Sequence, residues 1–176
     1  KGVPAAGTVL NLNADIRGFA HKAFLNEYKL AEINIAEDNP FFTSVNGVVY
    51  TKDMKKLVAY PCGNPATEYY MPDSVEFFPE YAFYSCNNLK RVRTSPNVAE
   101  IPAYSFYYCD YLTDIEISNG PEIIDTQAFY CCGNLNSIII PDSVRVIETY
   151  AFYSAGKVAL VLGKNLERIE FIITYN

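Results

Sequence analysis

Few residue types in this 176-residue chain could do chemistry, and their spacing is unusual. Three of the five cysteines, Cys86, Cys109 and Cys132, stand at one constant interval, i to i + 23. A metal or redox row is one reading of them, but the spacing fits neither a CxxC pair nor a zinc pattern. The alternative is that a small, slightly polar residue packs inside a repeated turn, as free thiols commonly do. Free thiols are the default expectation, with a disulfide between neighbouring coils left open and Cys131 the more exposed of the adjacent pair. The odd count leaves at least one cysteine unpaired within the monomer. His21 is the lone histidine, so multi-histidine metal sites are excluded and any Ser or Cys nucleophile has one possible base. Nothing in the sequence marks a partner for it. No paired-carboxylate motif, phosphate-cradling glycine loop or metal spacing is present. The expectation is no catalytic residue, no cofactor and no metal.

The elements that must hold these residues follow from the same period. Ala82-Phe83, Ser105-Phe106, Ala128-Phe129 and Ala151-Phe152 recur at that interval. Ala155 takes the fourth cysteine slot. Leu89, Leu112 and Leu135 follow at one offset, and Val92/Thr94, Ile115/Ile117 and Ile138/Ile140 at another. Phe78, Ile101, Ile124 and Ile147 precede each Phe by five. Ala23-Phe24 heads a degenerate copy with Leu30, Ile33 and Ile35. The Ile-x-Ile alternation is that of a strand with one buried face. Pro-Asp-Ser-Val at Pro72 and Pro141 turns the chain off it. The remainder suits 3₁₀-like turns better than a long helix. One coil of this length cannot bury its own apolar side, whereas stacked coils share a core.

The stretch between Phe24 and Phe83 is much longer than one period. Its extra residues contain Asn46-Gly47 between β-formers, a tight-turn signal. Residues 41–62 are therefore expected to form a two- or three-stranded β-meander, turning at Asn46-Gly47 and near Asp53, that protrudes from the stack. Leu160, Leu162, Leu166 and Ile169 keep the frame after a one-residue deletion, and Phe171 to Asn176 reads as a cap or a truncation point.

The strings PDSVRVIETYAFYSA and Cys86-Asn87-Asn88-Leu89, with SVNGVVYTKDMKKLVAYP upstream, resemble the treponemal-type (BspA-like) leucine-rich repeats. The resemblance covers nearly the whole chain. It implies a mostly β, right-handed leucine-rich-repeat solenoid with a concave parallel sheet and short 3₁₀ or irregular convex segments. Residues 1–176 would then form one domain of about six to seven coils with the meander inserted. It further implies a secreted or cell-surface bacterial protein concerned with adhesion or host-protein binding, without a shared catalytic set. No signal-peptide pattern opens the sequence, so secretion rests on the resemblance; Lys1 reads as either an expression start or a mature start.

Composition limits the partners. The net charge of −6 argues against nucleic acid. No run approaches the length of a membrane helix, so no membrane insertion is expected of this segment. On the concave face the outward positions run Asn11, Asn34, Tyr70, Arg93, Glu116, Ile139 and Val161, with Arg91 and Arg93 facing Asp114 and Glu116 across strands. Ile139 and Val161 are apolar where water is expected, which suits either a partner patch or a face covered by further chain. Tyr70, Arg91 and Arg93 are the candidate binding residues, for an unknown protein, a host extracellular one among the candidates, or a glycan. The tyrosines flanking each core Phe (Tyr81, Tyr104 and Tyr150 before it; Tyr84, Tyr107, Tyr130 and Tyr153 after) form either a structural ladder or a glycan platform. A structural spacer with no ligand of its own is the remaining reading.

Overall fold

The computed structural model describes residues 7–156 and 158–170, so the expected cap or truncation point at Phe171 to Asn176 lies outside the described residues. Strands β1 (Thr8–Leu12) and β2 (Leu30–Ile35) pair in parallel. They are followed by β3 (Phe42–Val45), β4 (Val48–Thr51) and β5 (Leu57–Ala59), an antiparallel sheet. The rest alternates between two faces of a solenoid. Strands β6 (Glu68–Tyr70), β7 (Arg91–Arg93), β9 (Asp114–Glu116), β11 (Ser137–Ile139) and β13 (Ala159–Val161) form one parallel sheet. Two-residue strands β8 (Glu100–Ile101), β10 (Ile123–Ile124), β12 (Val146–Ile147) and β14 (Arg168–Ile169) form a second. The molecule is a mostly β solenoid of about seven turns, with no helix among the described residues. The second sheet has no clear sequence signal, because strands so short show no alternation.

Identical positions stack because the period is constant. The rings of Phe83, Phe106, Phe129 and Phe152 are fully buried and parallel, with centroids 4.9, 5.1 and 5.1 Å apart. Each such ring removes a large apolar area from water and packs on identical neighbours. Two departures from the consensus prove to be one event. Thr94 stands buried where neighbouring coils carry Ile117 and Ile140, and its hydroxyl accepts the Ser118 N–H at 3.0 Å. Ser118 occupies the slot of Pro141, and a proline there would have no N–H to give. Ser118 returns the bond, its hydroxyl donating to the Thr94 carbonyl.

The convex segments are single i→i+3 turns rather than 3₁₀ helix. Left-handed residues break them at fixed offsets: Lys22, Tyr81, Tyr104, Gln127 and Tyr150 in one row, Asn26, Ser85, Tyr108, Cys131 and Ser154 in another. L-residues pay for positive φ, and cross-coil bonds offset that cost. Phe83 and Ser85 donate their N–H groups to the carbonyls of Ser105 and Tyr107 in the next coil, while Tyr84 and Cys86 bond back within their own turn. The same two-track ladder repeats from Phe106 and Tyr108, and from Phe129 and Cys131.

The meander turns at Asn46-Gly47, both with positive φ, as a two-residue hairpin of the primed type requires. It does not protrude, which corrects the expectation above. Val48, Tyr50 and Leu57 face the main core, while Val49 and Ala59 face a second core formed by Leu30, Ile33, Ile35 and Phe42. The sheet is thus a partition between two parts of the stack, buried on both faces. Its runs Val48-Val49-Tyr50 and Leu57-Val58-Ala59-Tyr60 are continuously apolar, the pattern of strands covered on both sides. At Tyr60, one period before Phe83, the column continues: the two rings are 5.1 Å apart.

Candidate functional site

The concave sheet brings the three candidate residues together. Tyr70 on β6 lies opposite Arg93 on β7, and Glu68 opposite Arg91. Alternation points these side chains away from the core, since Tyr69 and Val92 between them are buried. Arg91 bridges Glu68 (3.2 Å) and Asp114 (3.9 Å), and the Tyr70 hydroxyl donates to Glu68 at 2.7 Å. Arg93 stands opposite Glu116 in the register, yet its guanidinium pairs with Asp73 at 3.2 Å. Asp73 belongs to the turn after β6, so strand spacing alone does not reveal it. These pairs are half-exposed and contribute little to stability; their effect is to hold the side chains in place.

Beyond Glu116 the same row becomes apolar. Ile139 on β11 and its neighbour Val161 on β13 are 68% and 57% exposed. A shallow cleft of about 410 Å³ lies there, lined by Asp114, Glu116, Ile117, Ile139 and Pro141. Strands β9 and β11 share a single register pair, Ser137 with Asp114, where β7 and β9 share three.

The cysteines do not form a metal row. Cys109 and Cys132 are buried free thiols. Each donates to the carbonyl of the column Phe one coil back, Phe83 at 2.9 Å and Phe106 at 3.0 Å. Burial pushes the Cys109 thiol up to about 12 and raises Cys132 as well, which removes nucleophilic thiolate at neutral pH. Cys131 is partly exposed. The free-thiol default fails at Cys86, which forms a disulfide with Cys62, Cα–Cα 4.4 Å. The sequence separation of that pair is 24, one more than the period, so Cys62 escapes a search for the exact interval. It is the position that sequence reasoning missed. No group of three or more His, Cys, Asp or Glu side chains is placed to hold a metal among the described residues.

His21 is exposed on the rim of a cavity of about 330 Å³ beside Phe24 and Tyr81. No acid or nucleophile is bonded to it among the described residues. The tyrosines form a continuous stack: Tyr84, Tyr107, Tyr130 and Tyr153 lie nearly parallel at 5.6, 4.6 and 4.9 Å. Tyr81 stacks on Tyr104 at 4.6 Å. Burial raises the Tyr107 hydroxyl to about 12.

Parallel strands repeated at one interval over columns of Leu, Ile and Phe define a leucine-rich-repeat solenoid. The BspA-type leucine-rich-repeat region is found in six copies over residues 59–173, and the chain belongs to that family. Its first matched residue, Ala59, adjoins Tyr60, where the column begins. No curated protein sequence matches the chain. The pneumococcal vaccine antigen PcpA has a similar crystal structure, with TM-score 0.85 and 24% identity over 93% of this chain and 42% of that one. A leucine-rich cell surface protein from Faecalibacterium prausnitzii A2-165 is similar over 94% of this chain and 48% of its own, with TM-score 0.75 and 23% identity. The leucine-rich-repeat protein of T. pallidum, at 28% identity and TM-score 0.60, covers 74% of this chain and 62% of that one. The chain thus spans about half the length, or less, of the first two. No helix among the described residues is long and apolar enough to cross a membrane.

Proposed function

We propose that this chain is a non-enzymatic protein-interaction module of a bacterial secreted or cell-surface protein, adhesin-like or host-facing, binding through its concave sheet. One observation carries the reading. A row of large outward side chains, Tyr70, Arg93, Glu116, Ile139 and Val161, crosses five hydrogen-bonded strands. Repeats display a row rather than a pocket, and binding energy gathers on a few aromatic, Arg or aliphatic anchors within it. The Cys62–Cys86 disulfide favours an oxidising, extracytoplasmic setting. The F. prausnitzii neighbour, described as a cell surface protein, agrees with that setting.

The test is a screen of the immobilised protein against host extracellular proteins and a glycan array. It is repeated with the triple variant Tyr70→Ala, Arg91→Ala, Arg93→Ala. A protein partner whose affinity falls at least tenfold in the variant, with a melting temperature within a few degrees, supports the reading. Unchanged affinity moves the site off the concave sheet. Glycan capture alone favours the tyrosine stack, absence of any ligand favours a spacer, and turnover abolished by one substitution overturns the non-enzymatic reading.

A further inference from the structure

The concave ladder misses one rung, and the gap falls where the outward row changes from charged to apolar. In the regular coils the residue after each strand donates its N–H to the end of the next strand. Met71 donates to the Arg93 carbonyl at 2.9 Å, Thr94 to that of Glu116 at 3.0 Å and Ile140 to that of Val161 at 2.8 Å. Ile117 holds the same slot, yet its N–H has no acceptor and the Ile139 carbonyl no donor among the described residues. The cause lies one residue on. Ser118 is bonded twice to Thr94 of the preceding coil, N–H to hydroxyl and hydroxyl to carbonyl, which holds this end of the coil toward β7 and away from β11.

The cleft of about 410 Å³ opens at that gap, with an aliphatic wall of Ile117, Ile139 and Pro141 and an acidic wall of Asp114 and Glu116. Register sets Glu116 opposite Arg93, but Arg93 is drawn to Asp73. The Glu116 carboxylate is left with no hydrogen bond or ion pair among the described residues. Arg91 also lines the cleft, its charge shared between Glu68 at 3.2 Å and Asp114 at 3.9 Å. Three carboxylates against one guanidinium leave this part of the sheet acidic, on a chain whose net charge is −6.

We propose that this cleft takes a lysine or arginine side chain of the partner protein, with an apolar residue beside it covering Val161. A basic side chain carries both chemistries the cleft offers, since its methylene stem lies on apolar surface while its charged head stays among polar groups. The stem lies on Ile139 and Pro141. The head donates to the Glu116 and Asp114 carboxylates, with the Ile139 carbonyl as a further acceptor, and such charge-assisted bonds are stronger than neutral ones. Val161 is the next apolar position of the row, one strand beyond Ile139, within reach of the partner residue at i + 2. An acidic segment is repelled by Glu116, and a wholly apolar one buries that charge unpaired. The inference rests on the concave sheet being the binding face and adds the chemistry of what it binds.

The probe is a short capped peptide with one lysine, a leucine at i + 2 and otherwise glycine and serine, titrated into the isotopically labelled chain. Saturable amide shifts are expected at residues 114–117, 137–141 and 159–161, weakening as salt is raised. The same peptide with norleucine for lysine keeps the stem, loses the charge and should bind about threefold or more weakly. Glu116→Gln should weaken the lysine peptide by a similar factor without weakening the norleucine one, and Ile139→Ser should weaken both. Both side chains are exposed, so melting temperatures should stay within a few degrees. The triple variant of Tyr70, Arg91 and Arg93 should bind the lysine peptide as well or better, since it keeps Glu116 and Ile139 and releases Asp114 from Arg91. Absence of shifts at the cleft up to about 5 mM peptide overturns the inference, and the concave reading still stands if a protein partner is lost in the triple variant. Shifts at the cleft with no protein captured support the inference and count against the host-facing reading alone. Equal binding of the lysine and norleucine peptides, or shifts confined to residues outside β9, β11 and β13, overturns the inference. Self-association that perturbs the same amides without peptide would give the cleft to a second copy and overturn the partner claim.

Discussion

Residues 79–156 and residues 40–64 bury comparable apolar side chains by different means. In the first region one solution is copied: a ring on a ring, a thiol on the carbonyl one coil back, a ladder bond at every second position. In the second, an antiparallel sheet stands between two cores, and a disulfide joins its end to the first regular coil. Repetition makes each contact depend on its neighbours, so stability in the regular region is a nearest-neighbour property. The partition instead combines a local hairpin with one covalent link.

The largest test of that contrast is a pair of ring deletions. Phe106→Ala removes a fully buried ring held between two others and should cost about 3–5 kcal/mol. Phe24 is only partly buried and packs at a tilt on Phe19, outside the column. Phe24→Ala should therefore cost less than half as much. Urea unfolding of both variants measures the difference; equal losses would mean that neither full burial nor the column raises what a ring contributes.

A smaller effect is expected at the disulfide. Cys62 and Cys86 close a loop with a sequence separation of 24, for which the chain-entropy model gives about 3.5 kcal/mol. Reduction should lower the melting temperature and speed amide exchange over residues 57–64, leaving residues 106–155 protected. Under the same conditions an alkylating reagent should modify Cys62 and Cys131 well before the buried Cys86, Cys109 and Cys132. Burial holds the Cys109 thiol at about 12, so that group stays protonated. Prompt labelling of Cys109 would show that the regular region opens with the seam.

The same contrast explains what the sequence discloses. The Phe column, the strand columns and the hairpin turn are legible because each uses one residue chemistry at one offset, or a dipeptide with a single conformational meaning. Tyr60 is harder to see, being a tyrosine followed by proline where the pattern has Phe-Tyr. Cys62 departs from the period by a single position. The partition is visible only if Val48-Val49-Tyr50 is taken as covered on both sides, whereas the Asn-Gly turn beside it suggests a hairpin tip in solvent. Of the candidate site, strand register places Tyr70, Arg91 and Arg93 side by side, but the Arg93–Asp73 pair depends on a turn that has no period. The left-handed rows are the least legible feature. Tyr, Ser, Gln and Cys do not favour that conformation, and only the bonds between coils impose it.

That last point yields the smallest and sharpest test, because three positions share one register slot. Gln127 and Tyr104 are left-handed, at φ 54° and 58°, and Val58 is not. A left-handed L-residue costs about 1–2 kcal/mol that glycine avoids. Glycine loses about 0.5–1 kcal/mol through chain entropy. Gln127 interrupts the tyrosine row, so Gln127→Gly should be neutral or stabilising by up to about 1.5 kcal/mol, the difference of those two terms. Tyr104 gains the same backbone relief on becoming glycine but loses its stacking on Tyr81 at 4.6 Å and its contact with Tyr107. Aromatic pairs are worth about 0.5–1.5 kcal/mol each beyond burial, so Tyr104→Gly should destabilise. Val58→Gly has no left-handed strain to relieve and weakens a strand, so it should also destabilise, by about 1 kcal/mol or more. Denaturant midpoints for the three variants order them, and only Gln127→Gly should lie at or above the parent. A Gln127→Gly midpoint clearly below it would mean that the ladder bonds impose no strain on the convex turns.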